Sequence, residues 1–313
     1  MLVLGLFLIW LVVSCISSDQ NTVRYDKNVN LFSSTGELLQ VQYARNAGLR
    51  GSPILCSSSS NGEVLICIPT PSYLQALQDR RYIDKLTKVH DGIWFAFSGL
   101  AGDGRALMKA ARSFCIEYQA KFGSIPSVRS VARYIGEIQH ESTLSGGKRP
   151  FGVQVILIGE EGNSGNLAIY SSEPSGEVSS WQALAIGRNS DKNMRKLEAS
   201  WREAMSTVET AQLLARTARS TQSSADNTEE SADEDDQTAD KHKKHETEEA
   251  SSDTAERLDA VDFYRFHRRS FQRLGSNQPQ SNTATTTAGR KGEIVMSYYK
   301  NLEELTRGLD SEA

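Results

Sequence analysis

The order of the periodic segments limits the fold of this chain more than any other feature. Runs with the residue types and spacing of β-strands are followed by two stretches with helical spacing, and the same order then repeats. A chain that alternates strands with helix pairs buries its apolar faces best when the helices cover the outer faces of packed sheets. We therefore predict an α/β (α+β) fold, a four-layer α/β/β/α sandwich with antiparallel sheets.

The first half of this pattern starts with a hairpin. Pro53 to Ser58 and Glu63 to Pro69 are strand-like, and the Asn61-Gly62 dipeptide between them is typical of a tight turn. Two further strand-like runs follow, Tyr82 to Lys88 and Ile93 to Gly99, the second rich in aromatic and β-branched residues. An antiparallel sheet that begins with a hairpin explains this series.

Two amphipathic helices come next. The first is predicted from Asp103 to a stop at Gly123, and the second begins after Pro126-Ser127. Apolar stripes at helical spacing nearly always form core, so we assign them no functional role. The second half of the pattern has an apolar strand from Val153 to Ile158, two more strands about a Pro-Ser-Gly turn, and helices at 192–201 and 206–219.

A lead segment and one more helix precede the first strand. The stretch YDKNVNLFSSTGELLQVQYARNAG turns at SSTGE and then becomes apolar-periodic from Leu38 to Ala47. An amphipathic helix in this position must lie on something outside its domain's own sheet.

These segments resemble the motifs of proteasome alpha-type subunits. The lead is similar to the family's YDR…FSPEGRLxQVEYAxxA. FSGLAGDGRALMKAAR resembles SGLxADARxLxxxAR, SGGKRPFGVQVILIG resembles SGGVRPFGVSLLIxG, and IYSSEPSGEVSSWQALAIGRNS resembles LYQxDPSGxYxxWKAxAIGKNS. The resemblance extends from Tyr25 to about Arg219, and the Ser-Gly-Gly before RPFG most resembles the alpha type 2 subunit. It implies a sandwich of the N-terminal nucleophile hydrolase type.

The resemblance also implies a function, a non-catalytic alpha-ring subunit of the 20S proteasome core. Such a subunit acts in ring assembly, pore gating and activator docking during ubiquitin-dependent protein breakdown, in the cytoplasm and nucleus. Its partners are other alpha subunits in a seven-membered ring, beta subunits, and the C-termini of activators or regulatory particles. No cofactor and no metal are implied.

The resemblance carries six site residues onto this chain. Tyr25, Asp26 and Tyr43 match residues of the family's pore gate, Lys27 stands where Arg is usual, and Ser34 replaces a Pro of the gate turn. In IDKL, Lys85 resembles the Lys of the family's IEKI, which pairs with the terminal carboxylate of an activator. A flexible ammonium suits such a group.

Catalysis by this chain is not expected. The catalytic relatives use a Thr freed at the mature N-terminus, with its own amine as base and an Asp and a Lys in support. Here that place reads Gly51-Ser52-Pro53, and the Asp expected about sixteen residues later falls at Ile68. The alternative, a divergent N-terminal nucleophile hydrolase, requires cleavage before Ser52.

The first twenty residues leave several interpretations open. Leu2 to Val13 is an apolar run of twelve residues, too short for a spanning helix of about 20 residues. It is followed by small and polar residues, as in a signal peptide, but no basic residue precedes it. A signal, a short anchor or a wrong start all remain, and with them a third hypothesis, an exported or anchored sandwich protein that does not assemble.

Charge and cysteines exclude other classes of function. The stretch 222–256 holds thirteen acidic residues and three Lys, so we predict a disordered acidic insert. The rest of the chain has a net charge of +6 and no basic stripe, which argues against nucleic-acid binding. The four cysteines lack metal or redox spacing and are expected to be buried thiols. Beyond the insert we predict final strands at 258–266 and from 270, and a terminal helix at 296–309.

Overall fold

The computed structural model describes residues 28–69, 85–161, 166–229, 261–268, 294–299 and 302–312. The apolar run Leu2 to Val13, the gate candidates at 25–27, and the strand predicted from Ser270 lie outside these ranges. The elements are α1 (Leu39–Leu49), β1 (Ile54–Ser58), β2 (Val64–Pro69), β3 (Leu86–His90), β4 (Ile93–Gly99), α2 (Ala101–Phe122), α3 (Val128–Leu144), β5 (Val153–Glu160), β6 (Leu167–Ser172), β7 (Val178–Trp181), β8 (Ala183–Ile186), α4 (Ser190–Ser200), α5 (Thr207–Glu229), β9 (Val261–Arg268), β10 (Ile294–Tyr299) and α6 (Leu302–Glu312).

Two five-stranded antiparallel sheets form the inner layers. Their strand orders are β10-β9-β2-β1-β8 and β3-β4-β5-β6-β7. The predicted hairpin is confirmed, because β1 pairs with β2 from Leu55–Cys67 to Ser58–Val64 around Gly62, whose φ is +72°. The strand β3 ends at His90, two residues beyond the predicted run.

The period of two in β1 and β2 explains why both strands are apolar throughout. Ile54 and Ile66 face the second sheet, in a cluster with Ile156 of β5. The alternate residues Leu55 and Leu65 face the opposite way, towards the helices. Both strands are therefore covered on both faces, and burial selects apolar side chains at every position.

Helices cover the outer face of each sheet, which confirms the predicted four layers. On one side α2 and α3 pack against Phe95 and Leu157 through residues such as Leu107 and Ile135. On the other side α5 packs on β1 and β2, α4 on β8, and α6 on β9 and β10. The predicted helix boundaries depend on local signals. Gly123 ends α2 in the left-handed region at φ 68°, and the Ser127 hydroxyl caps α3 by accepting from the Ser130 N–H at 3.2 Å.

The helix α1 lies against the ends of β4 and β5. The approach is close, because a Cβ on Gly152 would lie 3.1 Å from the Cβ of Ala47 and 2.9 Å from Leu100 Cδ1. Ala44 and Gly48 are the buried residues of this helix, so its other face is open to solvent. The helix predicted ahead of the first strand is therefore present, but it crosses the end of this chain's own sheet, whereas the prediction placed it on something outside that sheet.

The C-terminal part differs from the prediction. Met296 belongs to β10, which pairs with β9 along its whole length, and the terminal helix starts only at Leu302. The prediction of a helix from 296 was wrong because the spacing of apolar residues within one segment does not show that the segment pairs with a distant strand. That pairing places the Tyr298 ring 5.2 Å from Tyr264.

The helix α5 ends at Glu229, inside the stretch 222–256 predicted to be disordered. Residues 230–256, the remainder of that predicted insert, lie outside the described ranges. The described cysteines Cys56, Cys67 and Cys115 are free and buried, as expected, and burial raises the pKa of Cys56 to about 12.

Candidate functional site

The structure describes three of the six site residues predicted from the sequence, together with the alternative nucleophile. Ser34, Tyr43 and Lys85 lie in described segments, as does Ser52, whereas Tyr25, Asp26 and Lys27 do not. Ser34 and Tyr43 belong to the lead and α1, and Lys85 lies directly before β3.

The turn that contains Ser34 is closed by hydrogen bonds from its neighbours. The Gly36 N–H donates to the Ser33 carbonyl at 2.9 Å, which places Ser34 at the second position of a four-residue turn. The Ser33 hydroxyl accepts from the Glu37 N–H at 3.1 Å and lies 2.7 Å from the Thr35 hydroxyl. The second position of such a turn favours Pro, and Ser34 stands there instead. The contacts of the Ser33 hydroxyl hold the turn closed without the proline ring.

The lead and α1 present apolar side chains to solvent. Phe32 is 62% exposed, Leu31 40% and Tyr43 45%. Among the described residues of the lead, the Asn30 amide donates to the Leu144 carbonyl at the end of α3, at 2.8 Å. An exposed apolar surface of this kind is typical of a contact with another chain.

Ser52 is an internal residue of the chain, and hydrogen bonds from Ser98 and Arg188 hold the backbone at Ser52 and at Gly51 before it. The Ser98 hydroxyl at the end of β4 donates to the Ser52 carbonyl at 2.8 Å. On the other side the Arg188 N–H donates to the Gly51 carbonyl at 2.9 Å. Gly187 has φ +82°, and a Cβ there would lie 2.5 Å from the Ser52 carbonyl oxygen. Ile68, where an orienting carboxylate was sought, is part of the apolar cluster between the sheets.

Lys85 is brought to the same strand end. Its carbonyl accepts from the Phe97 N–H at 3.2 Å, next to the Ser98 that holds Ser52. Burial lowers the pKa of the Lys85 ammonium below its usual value, and the positive charge of Arg188 lowers it further. No ion pair joins Lys85 or Arg188 to a carboxylate among the described residues.

The structure therefore brings together residues that are far apart in the sequence. Two cations, Lys85 and Arg188, lie around the end of β4 beside Ser52. Lys85 is half-buried and Arg188 is exposed. Two like charges held near each other favour an anion as third partner, because an anion would relieve their repulsion. A carboxylate or a phosphate fits this arrangement. Arg188 was not predicted, and the AIGRNS motif that contains it was the available signal.

Sequence reasoning also missed the ion pair that fixes the RPFG motif. The Arg149 guanidinium donates to both carboxylate oxygens of Asp103 at 2.7 and 2.8 Å, and the Gly152 N–H donates to Asp103 Oδ2 at 2.9 Å. Burial raises the pKa of Asp103, but these hydrogen bonds and the charge of Arg149 outweigh it and hold the pKa below its usual value. The pair holds the backbone at Gly152, against which Ala47 of α1 packs.

In the part of the chain that the structure describes, no group of three His, Cys, Asp or Glu side chains is placed to hold a metal ion. Nor does any helix within the described ranges have the length and apolar character needed to cross a bilayer.

Comparison with known proteins gives a consistent result. The sequence model of the Proteasome subunit family matches residues 49–233. The chain is 34% identical over 196 residues to proteasome subunit alpha type-7 of Dictyostelium discoideum, an alignment that covers 63% of this chain and 77% of the relative. It is 35% identical over 193 residues to alpha type-7 of Solanum lycopersicum, covering 62% and 73%. It is also 34% identical over 189 residues to the proteasome subunit alpha of Aeropyrum pernix, covering 60% and 72%.

Proposed function

The chain belongs to the proteasome subunit family, and from this membership we propose that it is a non-catalytic alpha-ring subunit of the 20S proteasome core. The observation that carries the proposal is the likeness to proteins named alpha subunits over more than 70% of their length. The position of α1 across the sheet end supports the same role, since the exposed side chains of Leu31, Phe32 and Tyr43 ahead of the first strand suit contact with a neighbouring subunit.

The position in the ring is a finer proposal. The Ser-Gly-Gly motif suggested alpha type 2, but the relatives described above are named alpha type-7 or simply alpha, and they give alpha type 2 no support. We therefore propose an alpha type-7-like position. Its partners are other alpha subunits in a seven-membered ring, beta subunits and activator C-termini, and it acts in the cytoplasm and nucleus. An exported or anchored form remains the alternative that the run Leu2 to Val13 suggests.

In this role the chain acts without a nucleophile of its own. The Ser52 carbonyl is held by Ser98, Ile68 supplies no carboxylate, and twenty-four described residues, 28–51, precede Ser52. A hydrolase that uses Ser52 would need a chain break at Gly51, whose carbonyl accepts from the Arg188 N–H. The hydrolase alternative is therefore disfavoured.

Pore gating is assigned to the lead. Tyr25, Asp26, Lys27, Ser34 and Tyr43 form the proposed gate. The closed turn at Ser34 and the 45% exposure of Tyr43 support this assignment, because both residues lie at the surface of the lead and α1.

Activator docking is assigned to Lys85. Its half-buried ammonium has no carboxylate partner among the described residues, and a terminal carboxylate would restore its charge balance. The expected ligand is a peptide with a free C-terminal carboxylate, bound between this subunit and its neighbour.

The experiment has two stages. Native mass spectrometry of the protein from its own cells, with N-terminal sequencing, tests ring membership. A particle with the mass of a 28-subunit core is expected, and a lone monomer would refute the function. Particles carrying Lys85→Glu are then compared with particles carrying Lys88→Glu, a charge reversal three residues away on the exposed edge of β3. Intact particles in which Lys85→Glu binds an activator peptide as well as the control does would refute the pocket alone.

A further inference from the structure

A groove between α4 and α5 is not used by the function proposed above. Its volume is about 650 Å³. Its apolar floor includes Met205 and Leu213, and its rim carries the cations Lys196, Arg202 and Arg216. Arg202 and Arg216 are exposed. The groove therefore combines apolar area with an excess of positive charge, which fits an acidic peptide segment.

The single carboxylate of the groove does not neutralise this charge. Glu209 Oε2 accepts from the Ser206 N–H at 2.8 Å and from the Ser206 hydroxyl at 2.9 Å, as part of the cap of α5. Hydrogen bonds from Ser206 lower the pKa of Glu209, and Arg202 lowers it further, so this carboxylate is ionised. Arg202 and Arg216, the two exposed cations of the rim, against Glu209 leave a net charge of about +1 at neutral pH.

The chain supplies a segment of the complementary charge next to the groove. Residues 230–240 contain six acidic and no basic residues, and they follow Glu229, the last residue of α5. From Glu229 back to Arg216, the helix spans roughly 20 Å at 1.5 Å per residue. Residues 230–236 can span up to about 23 Å, so Asp236 and the residues that follow it, up to Asp240, can come alongside Arg216.

The other end of the segment is also within reach. Val261 begins β9, which pairs with β2 in the sheet under α5. The twenty residues from 241 to 260 can span up to about 65 Å, which leaves ample length for the return. The acidic segment therefore starts at the end of α5, one of the two helices of the groove, and the chain after it returns to the sheet beneath α5.

We propose that residues 230–240 of this chain dock in the basic groove between α4 and α5. The attachment at Glu229 makes the contact intramolecular, with an effective concentration in the millimolar range, so the chain's own segment outcompetes an acidic peptide in solution. The contact depends on salt, because exposed charges are screened within about 10 Å at 0.1 M. This docking goes beyond ring membership and does not depend on it.

The test is zero-length carbodiimide cross-linking of the full chain, which joins the Lys196 amine directly to a carboxylate. Mass spectrometry is used to quantify the cross-links from Lys196 to residues 230–240. The groove variant is Arg202→Glu with Arg216→Glu. The control variant is Arg105→Glu with Arg133→Glu, which reverses two exposed charges on the opposite helix layer.

We expect the groove variant to reduce the cross-link yield at least fivefold and the control variant to leave it within twofold. Tenfold dilution of the wild type should not change the yield. An absent cross-link in the wild type, an equal yield in the groove variant, or a yield that falls in proportion to dilution would overturn the proposal. The last result would point to a second copy of the chain as the partner.

A second variant keeps the test valid if the groove variant folds poorly. Asp233→Asn, Glu234→Gln, Asp235→Asn and Asp236→Asn remove four of the six acidic charges of residues 230–240. The cross-link from Lys196 to Asp240 should then fall at least threefold, and an unchanged yield would contradict the docking.

Discussion

Replacing Arg265 by Met should destabilise the fold more than any surface change, because Arg265 satisfies a buried carboxylate. Its Nη2 donates to Glu63 Oε1 at 2.7 Å and its Nε donates to Oε2 at 3.0 Å. The side chains of Arg265 and Glu63 are only 8% and 12% exposed. After the substitution, the Thr207 hydroxyl, 2.8 Å from Oε2, is the one donor that remains of these three contacts. Breaking a buried pair in this way costs about 3–5 kcal/mol.

Urea unfolding of the full chain, followed by tryptophan fluorescence, measures this cost. With a slope of about 2 kcal/mol per M, the midpoint should fall by roughly 2 M. The double variant Glu63→Gln with Arg265→Met should recover at least half of the loss, because the amide carries no charge and still accepts from Thr207. Arg133→Met on the exposed face of α3 is the control and should shift the midpoint by less than about 0.3 M.

Two outcomes would refute this reasoning. If Arg265→Met lowers the urea midpoint by less than about 0.5 M, water reaches the Glu63 carboxylate and solvates it. A double variant no more stable than the single variant would mean that packing by Arg265, and not the pairing of its charge, stabilises the sheet.

Two further predictions concern the Asp103–Arg149 ion pair near α1 and the turn beside Ser52. Asp103→Asn should reduce stability by about 1–2 kcal/mol at pH 7, a value lowered because Arg149 is 61% exposed. Since the pKa of Asp103 is depressed in the folded state, the stability difference between wild type and variant should shrink as the pH falls through that pKa, and a difference that stays constant as the pH falls would contradict the assignment. Gly187→Ala should cost at least about 2 kcal/mol, because its Cβ would meet the Ser52 carbonyl at 2.5 Å and its φ is +82°. A soluble variant with an unchanged urea midpoint would show that the turn relaxes freely.

Local signals made much of the fold predictable. The hairpin at Asn61-Gly62, the stop at Gly123 and the helix start after Pro126-Ser127 each depend on residues within four positions, and all three are confirmed. The strand β10 was mistaken for part of a helix because its partner β9 lies about thirty residues earlier, and pairing over that distance leaves no periodic trace.

The candidate site was predictable only in its separate parts. Lys85 was identified from its motif, but its neighbour Arg188 is 103 positions away and is placed by the left-handed turn at Gly187. The same is true of Glu63 and Arg265, which are 202 residues apart. Contacts of this kind follow from topology, which the sequence pattern predicts as layers but not as side-chain neighbours.

That separation has a consequence for the chain during its synthesis. The strand β2 is a central strand, yet its partner β9 emerges from the ribosome about 200 residues later. At 5–20 residues per second the interval is roughly 10–40 s. Through this time the edge of β2, with Val64, Ile66 and Ile68, is open to pairing with other nascent chains. Residues beyond the acidic stretch thus decide when the newly made subunit stops being prone to aggregation.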